Sequence, residues 1–126
     1  MTTARLRLFV AGATGAIGRK LVPMLVARGH DVVGTTRSEE RARWLTTVGA
    51  VPAIVDAFDA ERLHDAVVAA RPDVVVHQLT DLAAGFGPEQ LRATARLREV
   101  GTSHLVAAIA AAGTRACMSS RLPERR

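Results

Sequence analysis

The 126-residue sequence predicts a single α/β domain: a doubly wound parallel sheet of about five strands with helices on both faces. Three observations carry that expectation. Short β-branched apolar runs alternate along the chain with longer stretches of helical periodicity. Each run is a continuous apolar block rather than a period-two alternation, as in a strand buried on both faces. The connections are short, and right-handed crossovers between such strands give a parallel sheet. The length suits one core and is too short for two domains of ordinary size.

The elements follow in order. The first strand, residues 6–11, runs into Gly12-Ala13-Thr14-Gly15-Ala16-Ile17-Gly18. A helix over 16–28 comes next, with Ile17, Leu21 and Leu25 turned inward, Pro23 kinking it and Gly29 as a left-handed cap. The second strand is 31–36, after which Ser38 N-caps a helix carrying Glu39 and Glu40 in its first turn, ending at Gly49. The third strand is 51–55, and Asp59 caps a helix over 60–70 with Leu63 and Val67 inward, stopped by Arg71-Pro72. A fourth strand over 74–79 and a longer loop over 80–87 precede the last helix, 88–112. That helix has Pro88 in its first turn, Leu97, Gly101, Leu105 and Ala108 facing inward, and Gly113 at its end. A weaker fifth strand is expected over 115–118, so residues 1–119 make the domain and 120–126 a charged tail.

Composition narrows the function. The net charge of +5 and pI near 11.2 invite a nucleic-acid reading, since clustered cations gain free energy by releasing phosphate counterions. Here the cations are scattered arginines, with Lys20 the one lysine, and four aromatics (Phe9, Trp44, Phe58, Phe86) do not interleave with them. No nucleic-acid partner is expected. The lone Cys117 forms no internal disulfide and suits a reducing compartment. No apolar run reaches the roughly 18–20 residues of a membrane span, and the start lacks a signal-peptide layout, so a cytoplasmic location is expected.

The glycine turn is the strongest chemical signal. It follows a strand and opens a helix, the context that separates a phosphate-binding turn from a merely tight one. Gly12 permits the turn, Gly15 lets a pyrophosphate approach the backbone, and Gly18 lets the helix pack on the sheet. Helix-start N–H groups then meet the phosphates with the positive end of the dipole. Loops at the carboxyl ends of the other strands complete such a site.

With the spacing GxxGxxG inside RLFVAGATGAIGRKLVPMLVARGHDVVGTTRS, the sequence resembles the extended short-chain dehydrogenase/reductase superfamily, the NAD(P)-dependent epimerase/dehydratase group. VDAFD, VVVHQLT, GTSHLVAAIAAAG and CMSS extend the likeness along nearly the whole chain. The resemblance implies a Rossmann-like fold and a dinucleotide cofactor. It makes Gly12, Ala13, Thr14, Gly15, Ala16, Ile17 and Gly18 the pyrophosphate loop. Arg37 stands at the end of the second strand, where NAD-specific relatives carry a carboxylate for the ribose hydroxyls. An arginine there offers a fork to a 2′-phosphate, favouring NADP over NAD, although the same residue can be a surface arginine opening a helix. Asp56 and Ala57 match an adenine-contacting pair, with an ordinary loop carboxylate as the alternative for Asp56. Gln78, Leu79 and Thr80 match positions beside the nicotinamide ribose.

The likeness breaks at catalysis. The family uses a tyrosine as acid/base with a lysine four residues later to lower its pKa. This sequence has no tyrosine, and Lys20 lies in the first helix. Ala95 and Arg98 stand where relatives tend to carry an asparagine. Ser119 and Ser120, where the family places its serine segment, are expected as capping or loop residues. His77 and His104 have no third ligand at metal spacing, so no metal site is expected. The chain therefore reads as truncated before the C-terminal strands: a cofactor-binding part without proton-transfer machinery, its substrate unknown. The alternative is a non-enzymatic NADP(H) sensor acting through a partner. A fifth strand left at the edge of the sheet would favour self-association.

Overall fold

The computed structural model describes residues 5–15, 17–78, 87–113 and 116–119. The strands are β1 (Arg7–Ala11), β2 (Asp31–Thr36), β3 (Val51–Ile54), β4 (Val74–His77) and β5 (Ala116–Ser119). They form one sheet in the order β3-β2-β1-β4-β5, parallel throughout. The helices are α1 (Gly18–Ala27), α2 (Glu39–Thr47), α3 (Ala60–Ala70) and α4 (Pro88–Ala112). The doubly wound parallel sheet expected from the apolar runs is therefore present. The expected tail at 120–126 and most of the loop after β4 lie outside the described residues.

β1 shows why the apolar runs are unbroken. Phe9 and Ala11 point to one face, where they join Leu63 and Val67 of α3 and Leu97, Leu105 and Ala108 of α4. Leu8 and Val10 point to the other, against Val22 of α1 and Leu45 of α2. Each fully buried Phe, Leu or Val among them stabilises the fold by roughly 1.5–3 kcal/mol. Asp59 caps α3 by accepting from the Arg62 N–H at 3.1 Å, and Ser38 caps α2 through a longer bond of 3.4 Å to the Arg41 N–H. Gly113 ends α4 in the left-handed conformation, as expected of it.

Two expectations are corrected. Ile17 does not face inward; it is 51% exposed, and the buried face of α1 runs through Gly18 and Val22. The helix starts at Gly18, pressed against the Ala13 carbonyl, while Leu21 and Leu25 pack half-buried against the core as expected. Pro23 leaves α1 a continuous ten-residue helix. The other correction is β3, which is not buried on both faces: Val51 and Ile54 are exposed because β3 is an edge strand. Val55 N–H donates to Thr36 O, so by the alternation of a parallel ladder the nitrogens of Ile54 and Pro52 point away from β2. Pro52 thus sits where a missing N–H costs the sheet nothing, and it blunts the edge.

At the amino ends of the strands Arg5 donates to Asp31 through Nε at 3.0 Å and through a second nitrogen. That pair holds the Asp31 carboxyl below the usual carboxylate range and raises the Arg5 guanidinium. Among the described residues no helix is long and apolar enough to cross a membrane.

Candidate functional site

The chain winds from β1 outward to β2 and β3, then crosses to β4 on the other side of β1. The order reverses between β1 and β4, and the connections leaving their carboxyl ends run apart, opening a crevice. It has a volume of about 450 Å³, within the roughly 300–1,000 Å³ usual for ligand pockets.

The glycine turn forms its floor. Gly12 has φ +79°, a backbone conformation that favours glycine. Its N–H donates to Thr35 Oγ1 at 2.9 Å, the Ala13 N–H donates to Thr35 O at 3.1 Å, and the Gly15 N–H donates to Gly12 O at 3.2 Å. Thr14 Oγ1 donates to Thr36 Oγ1 at 3.2 Å. The turn is thereby sewn to the end of β2. A methyl on Gly34 would stand 2.6 Å from the Ala13 Cβ, and one on Gly18 2.3 Å from Ala13 O, so glycine at both positions lets the turn lie flat between β2 and α1.

α1 starts without a side-chain cap, at Ile17, and has no acidic residue in its first turn. Arg19 and Lys20 instead add positive charge to the positive end of the dipole, an arrangement suited to an anion. On the β2 side the exposed Arg37 lines the crevice with Ser38 and Arg41. On the β3 side stand Val55, Asp56 and Ala57, and from β4 comes Gln78, whose N–H donates to Ala11 O at 2.8 Å. Asp56 Oδ1 accepts from the Phe58 N–H at 2.9 Å. Behind the crevice, the buried His77 ring pairs through Nε2 with Thr102 Oγ1 at 2.6 Å, and His104 Nδ1 donates to Ala57 O at 2.7 Å.

Of the residues singled out in the sequence, Gly12, Thr14, Gly15, Arg37, Asp56, Ala57 and Gln78 meet in this one crevice. Ala13 and Gly18 are buried behind it and shape it, while Ile17 faces outward beside it. Ala16, Leu79 and Thr80 lie outside the described residues. Sequence reasoning passed over Thr35, Thr36, Gly34 and Arg41, and it read Ser38 only as a helix cap and Leu97 only as a core residue. The signal for the first two was a hydroxyl pair at the carboxyl end of a strand beside the glycine turn; Gly34 and Arg41 carried none.

Sheet order, switch-point crevice and glycine turn define a Rossmann-type doubly wound α/β domain. The chain belongs to the NAD dependent epimerase/dehydratase family, which it matches over residues 8–120. It is 50% identical over 112 residues to the 3-diazoavenalumate denitrifying reductase of a Streptomyces species, covering 87% of this chain and 36% of that protein. In structure it resembles the enzyme WbmG of Bordetella bronchiseptica, solved with NAD and UDP, with a TM-score of 0.74 at 21% identity over 92% of this chain and 37% of that one. A putative epimerase of Burkholderia cenocepacia superposes with a TM-score of 0.70 at 31% identity, over 94% of this chain and 38% of that one. The chain thus spans a little over a third of the length of each.

Proposed function

We propose that these residues bind a nicotinamide dinucleotide as the cofactor part of an epimerase/dehydratase-type oxidoreductase, with NADP preferred over NAD. The observation that carries this is the meeting of the glycine turn, Arg37, Asp56 and Gln78 in one crevice at the switch point. The turn and the uncapped start of α1 receive the pyrophosphate. Arg37 receives the 2′-phosphate, supported by Arg41 and Ser38 on the same wall. Asp56 and Ala57 take the adenine, and Gln78, followed by Leu79 and Thr80, lies toward the nicotinamide ribose. When bound, the nicotinamide supplies or accepts hydride at its C4. Net reduction is favoured over epimerisation because the relative sharing half of the aligned residues is a reductase. With no tyrosine and with Lys20 in α1, the family's acid/base pair is missing from these 126 residues, so they bind cofactor without turning it over.

Calorimetric titration with NADP and NAD tests the reading. A bidentate charged contact contributes about 1.5–3 kcal/mol, so Arg37→Ala is expected to weaken NADP about 10- to 100-fold and leave NAD unchanged. Failure of both cofactors to bind at millimolar concentration refutes cofactor binding. Equal affinities that ignore Arg37→Ala refute the 2′-phosphate assignment.

A further inference from the structure

We infer that His104 is a positioning residue that aims the Asp56 carboxylate, and so sets the preference of the crevice for a 6-amino purine. This rests on the adenine assignment of Asp56 proposed above. His104 sits half-buried on α4 and does not line the crevice. Its Nδ1 lies 2.7 Å from the carbonyl oxygen of Ala57, 47 residues earlier in the chain. A carbonyl only accepts, so Nδ1 carries the proton.

The consequence comes from covalent geometry. The Ala57 carbonyl and the Phe58 N–H belong to one planar peptide unit. His104 holds the oxygen end of that plane, and Asp56 Oδ1 accepts from its N–H end at 2.9 Å. Fixing the plane therefore fixes the direction of the N–H, and the N–H fixes the rotation of the carboxylate. Donation into the carbonyl also polarises the amide, strengthening its N–H as a donor.

Buried Val55 and Ala57 anchor the segment in the core, and His104 adds the hold on its peptide plane. The segment leaves an edge strand with exposed Val51 and Ile54, and Phe58 after it is exposed as well. The Asp59 N–H to Asp56 O bond of 2.9 Å tightens the turn internally but does not orient it against the rest of the fold. His104 reaches across from the helix layer and does so. With the plane fixed, the second carboxylate oxygen has one direction in which to accept from an exocyclic amino group. A 6-oxo purine presents an acceptor there and is repelled.

The test compares NADP with its deamino analogue, nicotinamide hypoxanthine dinucleotide phosphate, by calorimetry. The unmodified chain is expected to favour NADP at least about tenfold, or 1.4 kcal/mol. His104→Ala should bring that ratio to within about twofold, and adding it to Asp56→Ala should change the ratio no further. Asn places its amide nitrogen as many bonds from Cβ as His Nδ1, so His104→Asn should restore the preference. His104→Gln, one carbon longer, should not, and it serves if the alanine variant fails to fold. A ratio unchanged in His104→Ala or His104→Gln, while Asp56→Ala abolishes it, overturns the role of His104 alone. No preference in the unmodified chain, or one indifferent to Asp56→Ala, overturns the adenine assignment and this inference with it.

Discussion

Gly18→Ala isolates what the glycine turn requires. The added methyl would lie 2.3 Å from the Ala13 oxygen, 2.5 Å from the Ala13 carbon and 2.7 Å from the Gly12 oxygen. All three are backbone atoms, so no side chain can swing aside, and the gap must open from 2.3 Å to beyond 3.0 Å. Overpacking of this kind costs about 1–3 kcal/mol, and backbone on both sides puts this site at the upper end. Alanine recovers at most about 1 kcal/mol over glycine through helix propensity, leaving a net loss of about 2 kcal/mol. At this chain length that lowers the melting temperature by about 6–10 °C. The same displacement moves the start of α1 off the turn, so NADP affinity should fall at least about tenfold. Gly29→Ala is the control. Gly29 has φ +89° and nothing within 4 Å, so that variant loses stability through its backbone alone and keeps its affinity. Thermal melts and calorimetry on both variants decide the matter. A Gly18→Ala chain that melts with the parent and binds NADP equally well would refute the steric argument.

Three further outcomes are expected. Thr35→Val keeps the side-chain shape but removes the acceptor of the Gly12 N–H, so urea unfolding should show a loss of about 1–3 kcal/mol that Thr35→Ser recovers. Arg71 has φ +46°, the positive value found at a non-glycine residue among those described, and Arg71→Gly should raise stability by about 0.5–1 kcal/mol, read as a higher melting temperature. Asp31→Asn should lower stability near neutral pH and not at strong acid. The Asp31 carboxyl is held below its ordinary value by Arg5, so its contribution is present above about pH 3.9 and is lost as pH falls through the depressed value. Urea midpoints of the two proteins should therefore differ at neutral pH and converge at acid pH; a difference that stays constant with pH would refute the linkage.

How much of this was legible in the sequence follows from which forces are local. Residues 60–70 and 88–112 are helical to the residue because Asp59, Pro88 and Gly113 punctuate them. The glycine turn was legible because its requirements fall on consecutive positions. The inward face of α1 was legible at Leu21 and Leu25 but not at Ile17, which the close approach of Gly18 to Ala13 leaves outside. Thr35 and Thr36 meet the turn because β1 and β2 pair in a register that sets Val10 against Gly34, and no spacing along the chain encodes that. The exposure of β3 likewise depends on the strand order. His104 was readable as a helix-face residue, but its partner 47 residues away was not.

The stitching of the turn to β2 also has a kinetic and entropic side. Amides of Gly12, Ala13 and Gly15 that already donate within the protein should exchange slowly with solvent deuterium. Fixing a backbone residue costs about 1–2 kcal/mol in lost freedom, and here the turn meets that cost on folding rather than on ligand encounter. A ligand arriving at such a turn should associate in a single fast phase, without a slow isomerisation of the loop that receives its phosphates.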